Sequence, residues 1–292
     1  MSKCVLYING ELRPLYTPHI SALDRGFTLG DGVFETMRLV GGRVFQLGRH
    51  LERLRRSAAV IELPVPMDDR LLEHAIARTV EANGLQEGVV RVTLTRGATE
   101  QRGLLPPATC IPTLAIWAMP FAGYPPEKYH HGAMACISRI RRNETSPSST
   151  IKSCSCLDNV LARKEAAARR VDEALMLNIA GHLAGGASSN VYLVMGRTVL
   201  TPPSSSGALP GITRAVIRDL VPKLGLLWQE RALAVEDLAQ ADEAFLTNAL
   251  MGIMPLVSVD GRPIGRELPG PVTSDLSGAY QDLLGSFARG WP

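Results

Sequence analysis

Val33-Phe34-Glu35-Thr36-Met37-Arg38-Leu39-Val40-Gly41-Gly42-Arg43-Val44-Phe45 reads as a strand, a glycine turn and a returning strand. Residues 50–63, which follow at once, place Leu51, Leu54, Ala58 and Ile61 at spacings of three and four, the apolar stripe of an amphipathic helix that Pro64 should stop. Strand, turn, strand and helix in one short stretch set the fold class as mixed α/β. Upstream, Val5-Leu6-Tyr7-Ile8 ahead of Asn9-Gly10 predicts another hairpin. Downstream, Leu71, Leu72, Ala75, Ile76, Thr79 and Val80 share one helix face that Asn83-Gly84 ends, and strands are expected over 89–95 and 114–119.

Residues 119–126 lose all periodicity and turn to proline, glycine and aromatic residues, which marks a linker. The expected organisation is a small N-terminal α/β domain over 1–118, the linker 119–126, and a large C-terminal α/β domain over 127–292. In the latter, helices are expected over 157–171, 213–224 and 276–287. Short strands are expected over 174–178, 191–195, 244–247 and 256–259, with a loop at 202–207.

The 292 residues carry 31 basic against 28 acidic side chains, a formal charge of +3, with 46% hydrophobic and 20% charged residues. That composition belongs to a folded globular chain and gives no support to a nucleic-acid partner. The densest basic cluster, Arg139, Arg141 and Arg142, lacks interleaved aromatic residues and reads as a solvated loop or an anion site. Five dispersed cysteines argue against a disulfide framework, and Cys154-Ser155-Cys156 has no second pair to complete a zinc site, so no metal is expected. No long apolar run and no secretory leader are visible, so the expectation is a cytoplasmic protein without a membrane partner.

Three features could carry chemistry. Lys152 stands in Ser148-Ser149-Thr150-Ile151-Lys152-Ser153, just before a predicted helix, where a helix N-terminus would disfavour the ammonium and leave an amine able to attack a carbonyl carbon. On spacing alone the same lysine also reads as solvated. Gly211-Ile212-Thr213-Arg214 opens a predicted helix whose first N–H groups could take a phosphate or could simply be capped. Arg53, beside the stripe of its helix, could reach inward to an anion or stay in solvent with Arg55 and Arg56. A phosphorylated aldehyde would unite all three.

These residues stand within a longer series of matches. Asp24-Arg25-Gly26 with Leu29-Gly30-Asp31-Gly32-Val33-Phe34-Glu35-Thr36, His50-Leu51-Glu52-Arg53-Leu54, Ile151-Lys152-Ser153 with Asn159-Val160-Leu161-Ala162, Ala187-Ser188-Ser189-Asn190-Val191-Tyr192, Leu209-Pro210-Gly211-Ile212-Thr213-Arg214 and Thr247-Asn248-Ala249-Leu250 occur in that order. The chain thereby resembles the fold-type IV pyridoxal-phosphate enzymes, which include branched-chain and D-amino-acid aminotransferases and 4-amino-4-deoxychorismate lyases. The resemblance implies their two-domain architecture, a homodimer, and pyridoxal 5'-phosphate linked as a Schiff base to Lys152, which would also shuttle protons at the substrate carbon. It further implies Arg53, Ile212 and Thr213 on the phosphate, the backbone of Ala249 and Leu250 completing the cup, and Asn190 in the cofactor site. Phe34, Thr36 and Arg102 would face a small amino-bearing substrate.

Within that family, the Tyr-x-Arg-Pro of branched-chain aminotransferases is absent from Arg91-Val92-Thr93-Leu94-Thr95-Arg96-Gly97. The Arg-x-His of D-amino-acid aminotransferases is also absent, because Arg102-Gly103 is followed by Leu104. Asn248-Ala249-Leu250-Met251 is closer to the lyases, so the leading expectation is a lyase forming 4-aminobenzoate and pyruvate, with an aminotransferase of the D-amino-acid or branched-chain type as the alternative. The family also places a glutamate, the partner of the cofactor's ring nitrogen, five residues before the asparagine at 190. Here that position is Gly185. Water or His182 could stand in, the reaction could need less electron withdrawal, or the chain could be a divergent homologue without conventional catalysis.

Overall fold

Asn9 and Gly10 both take positive φ, 47° and 106°, so the chain leaving β1 (Val5–Ile8) reverses tightly into β2 (Glu11–Pro14). The computed structural model describes residues 4–17, 20–266 and 269–290. After a short helix α1 (Arg25–Leu29), capped by Asp24, come β3 (Gly32–Val40) and β4 (Arg43–Val44), joined by Gly41 and Gly42. Helices α2 (Leu47–Val60) and α3 (Asp69–Ala82) follow, then β5 (Gly88–Thr95) and β6 (Thr113–Met119).

Among the described residues these strands form one sheet in the order β2-β1-β6-β5-β3-β4. Strand alternation sorts its faces: Val33, Met37, Leu39, Val90, Val92, Leu94, Leu114 and Ile116 are buried in a core with Leu51, Leu54, Ala58, Leu72 and Ile76 of the two helices. Phe34, Thr36, Arg91, Thr93 and Trp117 point the other way and are only half-buried. Helix α2 starts at Leu47 and stops at Val60, ahead of Pro64, because Glu62 turns into the left-handed region at φ 51°.

This first unit holds the chain up to Ala122 together with Ile151–Ser155 and the end from Ser286. The return of Ile151–Ser155 has no counterpart in the single division expected at 119–126. It is held by pairing with the start of β3: Phe34 N–H donates to Lys152 O at 2.9 Å and Cys154 N–H to Gly32 O at 2.8 Å.

The second unit comprises Gly123–Thr150 and Cys156–Gly285. It contains α4 (Pro126–His131), β7 (Ala133–Arg142), α5 (Leu157–Ala168), β8 (Glu173–Asn178), β9 (Leu183–Gly186), β10 (Asn190–Met195) and β11 (Thr198–Thr201). It continues through α6 (Ile212–Leu220), β12 (Leu227–Glu230), α7 (Asp237–Gln240), β13 (Glu243–Asn248), β14 (Gly252–Val259), β15 (Arg262–Pro263) and, up to Gly285, α8 (Pro271–Ala288). The described strands form a mixed sheet in the order β12-β11-β10-β13-β14-β7-β8-β9, with β15 on β14. Its centre is buried on both sides, and β8, β10 and β13 accordingly run as apolar stretches without alternation. The cluster Arg139, Arg141 and Arg142, read from the sequence as a solvated loop or an anion site, lies at the end of β7. No described helix is long and apolar enough to cross a membrane.

Candidate active site

Lys152 owes its place to strand pairing and not to a helix N-terminus, since α5 begins only at Leu157. Its backbone N–H also donates to Ser57 Oγ of α2 at 3.3 Å. From that anchored backbone the Lys152 ammonium lies 4.4 Å from the centre of the Phe34 ring. The Arg91 guanidinium lies 3.8 Å from the same centre, held by Thr93 Oγ1 at 3.3 Å and Thr36 Oγ1 at 3.5 Å. Lys152 and Arg91 are therefore no farther apart than those two ring distances laid end to end. The structure places Lys152 and Arg91 about the Phe34 ring, with Thr36 against Arg91, a residue the sequence does not single out.

On the buried face of the same strand, Glu35 accepts from Arg53 Nε at 2.7 Å, from Arg53 Nη2 at 2.6 Å and from His50 Nδ1 at 2.7 Å. Burial alone would raise the Glu35 carboxyl, but the charge and hydrogen bonds of Arg53, with help from His50, lower it to about 2. Burial pushes His50 below its usual range against the pull of Glu35, so the imidazole is neutral at pH 7 and its Nδ1–H is the donor. The solvent alternative for Arg53 is overturned: its guanidinium is buried and clamped in two directions by a carboxylate.

Arg102 is not brought to this cluster. It is exposed on a loop and lines a cavity with Leu23, Arg25, Thr28 and Glu100. That loop is tied down by the buried Arg25, which donates to Gly103 O and Leu104 O while pairing with Asp31.

In the second unit, α6 begins with Gly211 as a cap that offers no side-chain hydrogen bond, and its first turn holds no acid. The first N–H groups of α6 are left for another acceptor. Thr213 is buried there, and Arg214 Nη1 is buried without a hydrogen-bond partner while its Nη2 pairs with Glu230 at 2.8 Å. A Cβ on Gly211 would come within 2.1 Å of Asn190 Oδ1, so glycine keeps the backbone close to Asn190, whose Nδ2 donates to Leu209 O. An uncapped helix start, a buried hydroxyl and an orphaned guanidinium N–H suit a phosphate. Ala249 and Leu250 form the turn between β13 and β14, where the Leu250 N–H already donates to Asn248 Oδ1 at 3.0 Å. His182 sits in the turn between β8 and β9, exchanging backbone and side-chain bonds with Asn178, and a Cβ at Gly185 would meet Ser189 O at 3.0 Å and Arg142 Nη1 at 3.9 Å.

Residues 32–259 match the model of the amino-transferase class IV family. The chain belongs to that family. Its members depend on pyridoxal phosphate, and the chain is accordingly an enzyme of the class. It is 30% identical over 285 residues to the D-alanine aminotransferase of Bacillus licheniformis, covering 94% of this chain and 95% of that one. Its fold matches the branched-chain amino acid aminotransferase of Escherichia coli with a TM-score of 0.91 at 29% identity, over 96% of this chain and 94% of that one. The 4-amino-4-deoxychorismate lyase of Pseudomonas aeruginosa matches with a TM-score of 0.84 at 29% identity, over 95% and 98%. The fold-type IV architecture expected from the motifs is what these structures share.

The features described above fit the cofactor, unit by unit. The first offers an amine that suits its aldehyde, and the second a helix start with Thr213 and Arg214 that suits its phosphate.

Proposed function

We propose that this enzyme acts on small amino carboxylates as an aminotransferase, with Lys152 as the residue that holds the cofactor and moves protons at the substrate carbon. The observation that carries this reading is the shared Phe34 ring, whose centre lies 4.4 Å from the Lys152 amine and 3.8 Å from the Arg91 guanidinium. When bound, the cofactor supplies an electrophilic carbonyl and an electron-withdrawing ring. The protein's own part is positional. Arg91 presents a planar fork of donors that suits a substrate carboxylate, in a half-buried setting where a charge-assisted pair is stronger than in bulk water. Phe34 and Thr36 line the same face, and the ring keeps the Lys152 amine from wandering into solvent.

Arg53, Ile212, Thr213 and Ala249 are assigned to the phosphate, with Glu35 and His50 fixing the direction of Arg53. Aminotransferase relatives outweigh the lyase likeness in support of transfer. The lyase reading, formation of 4-aminobenzoate and pyruvate, keeps a footing in Gly185, since a product that gains aromaticity asks less of the ring as an electron sink. A homodimer in the cytoplasm belongs to the same proposal.

The test begins with borohydride reduction of the protein loaded with pyridoxal phosphate, which should leave a mass adduct on the Lys152 peptide. Amino donors are then supplied with and without a keto acid. Turnover that requires the keto acid is expected; pyruvate and an aromatic amine released from 4-amino-4-deoxychorismate with no keto acid present would replace this reading by the lyase.

A further inference from the structure

Ser57 of α2 is buried, 2% exposed, and its Oγ accepts the Lys152 backbone N–H at 3.3 Å. It belongs to a polar stripe. His50, Arg53 and Ser57 follow one another at spacings of three and four, so they share one face of the helix, and all three are buried beside the apolar positions Leu51, Leu54 and Ala58. His50 and Arg53 engage Glu35 of β3. Ser57 is the member of the stripe that engages Lys152. Burial lowers His50, Glu35 opposes the shift, and the charges of Arg53 and Lys152 add to it, so the charge of the lysine is felt along the stripe.

The pairing of the Lys152 segment with β3 shows what that hydroxyl changes. Phe34 N–H donates to Lys152 O and Cys154 N–H to Gly32 O, the two bonds that flank an isolated bridge between Val33 and Ser153. A regular antiparallel ladder would continue with the Lys152 N–H returned to Phe34 O, closing a doubly bonded pair. The ladder stops at its one bridge, and the Lys152 N–H is turned to α2. From a backbone held in that way the side chain reaches its place 4.4 Å from the centre of the Phe34 ring. With alanine at 57, the same N–H would be directed back at Phe34 O, and the segment would zip one step further along β3 without orphaning a buried donor. The fold would survive while the amine moved.

We propose that Ser57 is a positioning residue of the reaction: by taking the Lys152 N–H off the β3 ladder, it sets where the Lys152 amine stands over Phe34. The inference rests on the cofactor reading given above. It concerns the place of the group that moves protons and not the hold on the cofactor's phosphate. Arg53, one helical turn earlier, keeps its two bonds to Glu35 whatever stands at 57.

The experiment compares Ser57→Ala and Ser57→Thr with the wild type as holoenzymes, once borohydride reduction and mass analysis have verified the Lys152 adduct in the wild type. Small misplacements of a reacting group lower turnover steeply, so Ser57→Ala is expected to lose about tenfold in kcat, with the KM of the amino donor, the pyridoxal-phosphate affinity and the melting temperature nearly unchanged. Ser57→Thr keeps the hydroxyl and is expected to recover most of that kcat. In cofactor-free protein labelled with nitrogen-15 lysine, the Lys152 amide resonance is expected to move in Ser57→Ala and to stay near its wild-type position in Ser57→Thr. An unchanged kcat or an unmoved amide resonance in Ser57→Ala overturns the proposal. So does a loss shared alike by kcat, affinity and melting temperature, which would make Ser57 a packing residue. A Ser57→Thr enzyme as slow as Ser57→Ala, with the amide resonance at its wild-type position, overturns it too. If Ser57→Ala fails to fold, Ser57→Cys, of similar size and a weak acceptor, is read against the same outcomes. A wild type without a Lys152 adduct would instead overturn the cofactor reading, so the two failures are distinct.

Discussion

At the scale of single residues, Lys152 and Arg91 divide the work that their shared ring implies. Replacing Lys152 with alanine removes the amine placed over Phe34, and turnover should fall by about a thousandfold or more while the fold survives, since the side chain is only half-buried. The check is kinetic assay beside a thermal melt. Arg91→Gln should act differently. Losing a charge-assisted pair with a substrate carboxylate costs about 2 kcal/mol, or roughly thirtyfold in KM, with kcat changed less. If KM is unmoved across a series of amino carboxylates, Arg91 does not bind the carboxylate.

At the scale of elements, the anion site proposed at the start of α6 is made by omission: no capping side chain, no acid in the first turn, and no Cβ at Gly211. Gly211→Ala keeps an ordinary φ of −66° but drives a methyl into Asn190, so the strand-to-helix connection must shift. Pyridoxal-phosphate affinity, followed by fluorescence titration, should weaken about tenfold, in line with the roughly 1–3 kcal/mol that overpacking costs. Much of this element was legible, because Gly-Ile-Thr-Arg before an apolar period announces a helix start. The strands β3, β5 and β6 were legible from an alternation of one apolar and one mixed face, and β1 from the Asn9-Gly10 turn that ends it. Strands β7 and β9 were not. Ala133–Arg142 buries small residues and ends in arginines, and Leu183–Gly186 closes on two glycines, so neither shows contrast between faces. The Ile151–Ser155 pairing with β3 joins segments more than a hundred residues apart, and no local pattern announces it. From the sequence Arg53 reads either as an anion ligand or as a solvated side chain, and neither reading contains its clamp. Yet Glu35 has the same parity as Val33, Met37 and Leu39, and an acid on an apolar strand face signals a buried partner.

At the scale of the whole molecule, that clamp ties stability to pH. Glu35 has a folded-state pKa of about 2 against an ordinary value of 4.5, so its stabilisation is complete above about pH 5 and is lost as pH falls through 4.5 towards 2. The difference corresponds to about 3 kcal/mol. His50 has the same sign by a different route. Its folded pKa is lowered, so the unfolded chain takes up the proton first and stability begins to decline below about pH 6.5. Asp31, held below its usual range by Arg96 and Arg25 against the cost of its burial, adds to the loss at the acid end. Urea unfolding midpoints should therefore hold steady from pH 8 to 7, slope gently down to pH 5, and fall steeply below it. Glu35→Gln separates the contributions. At pH 7 it should destabilise the protein by on the order of 3 kcal/mol, since it leaves the buried Arg53 without its counter-charge. Below pH 4.5, however, its midpoints should fall less steeply than those of the wild type and converge on them, because the proton that the wild type must take up at Glu35 has no equivalent in the variant. Parallel acid limbs in the two proteins would show that the acid sensitivity lies elsewhere than in the clamp.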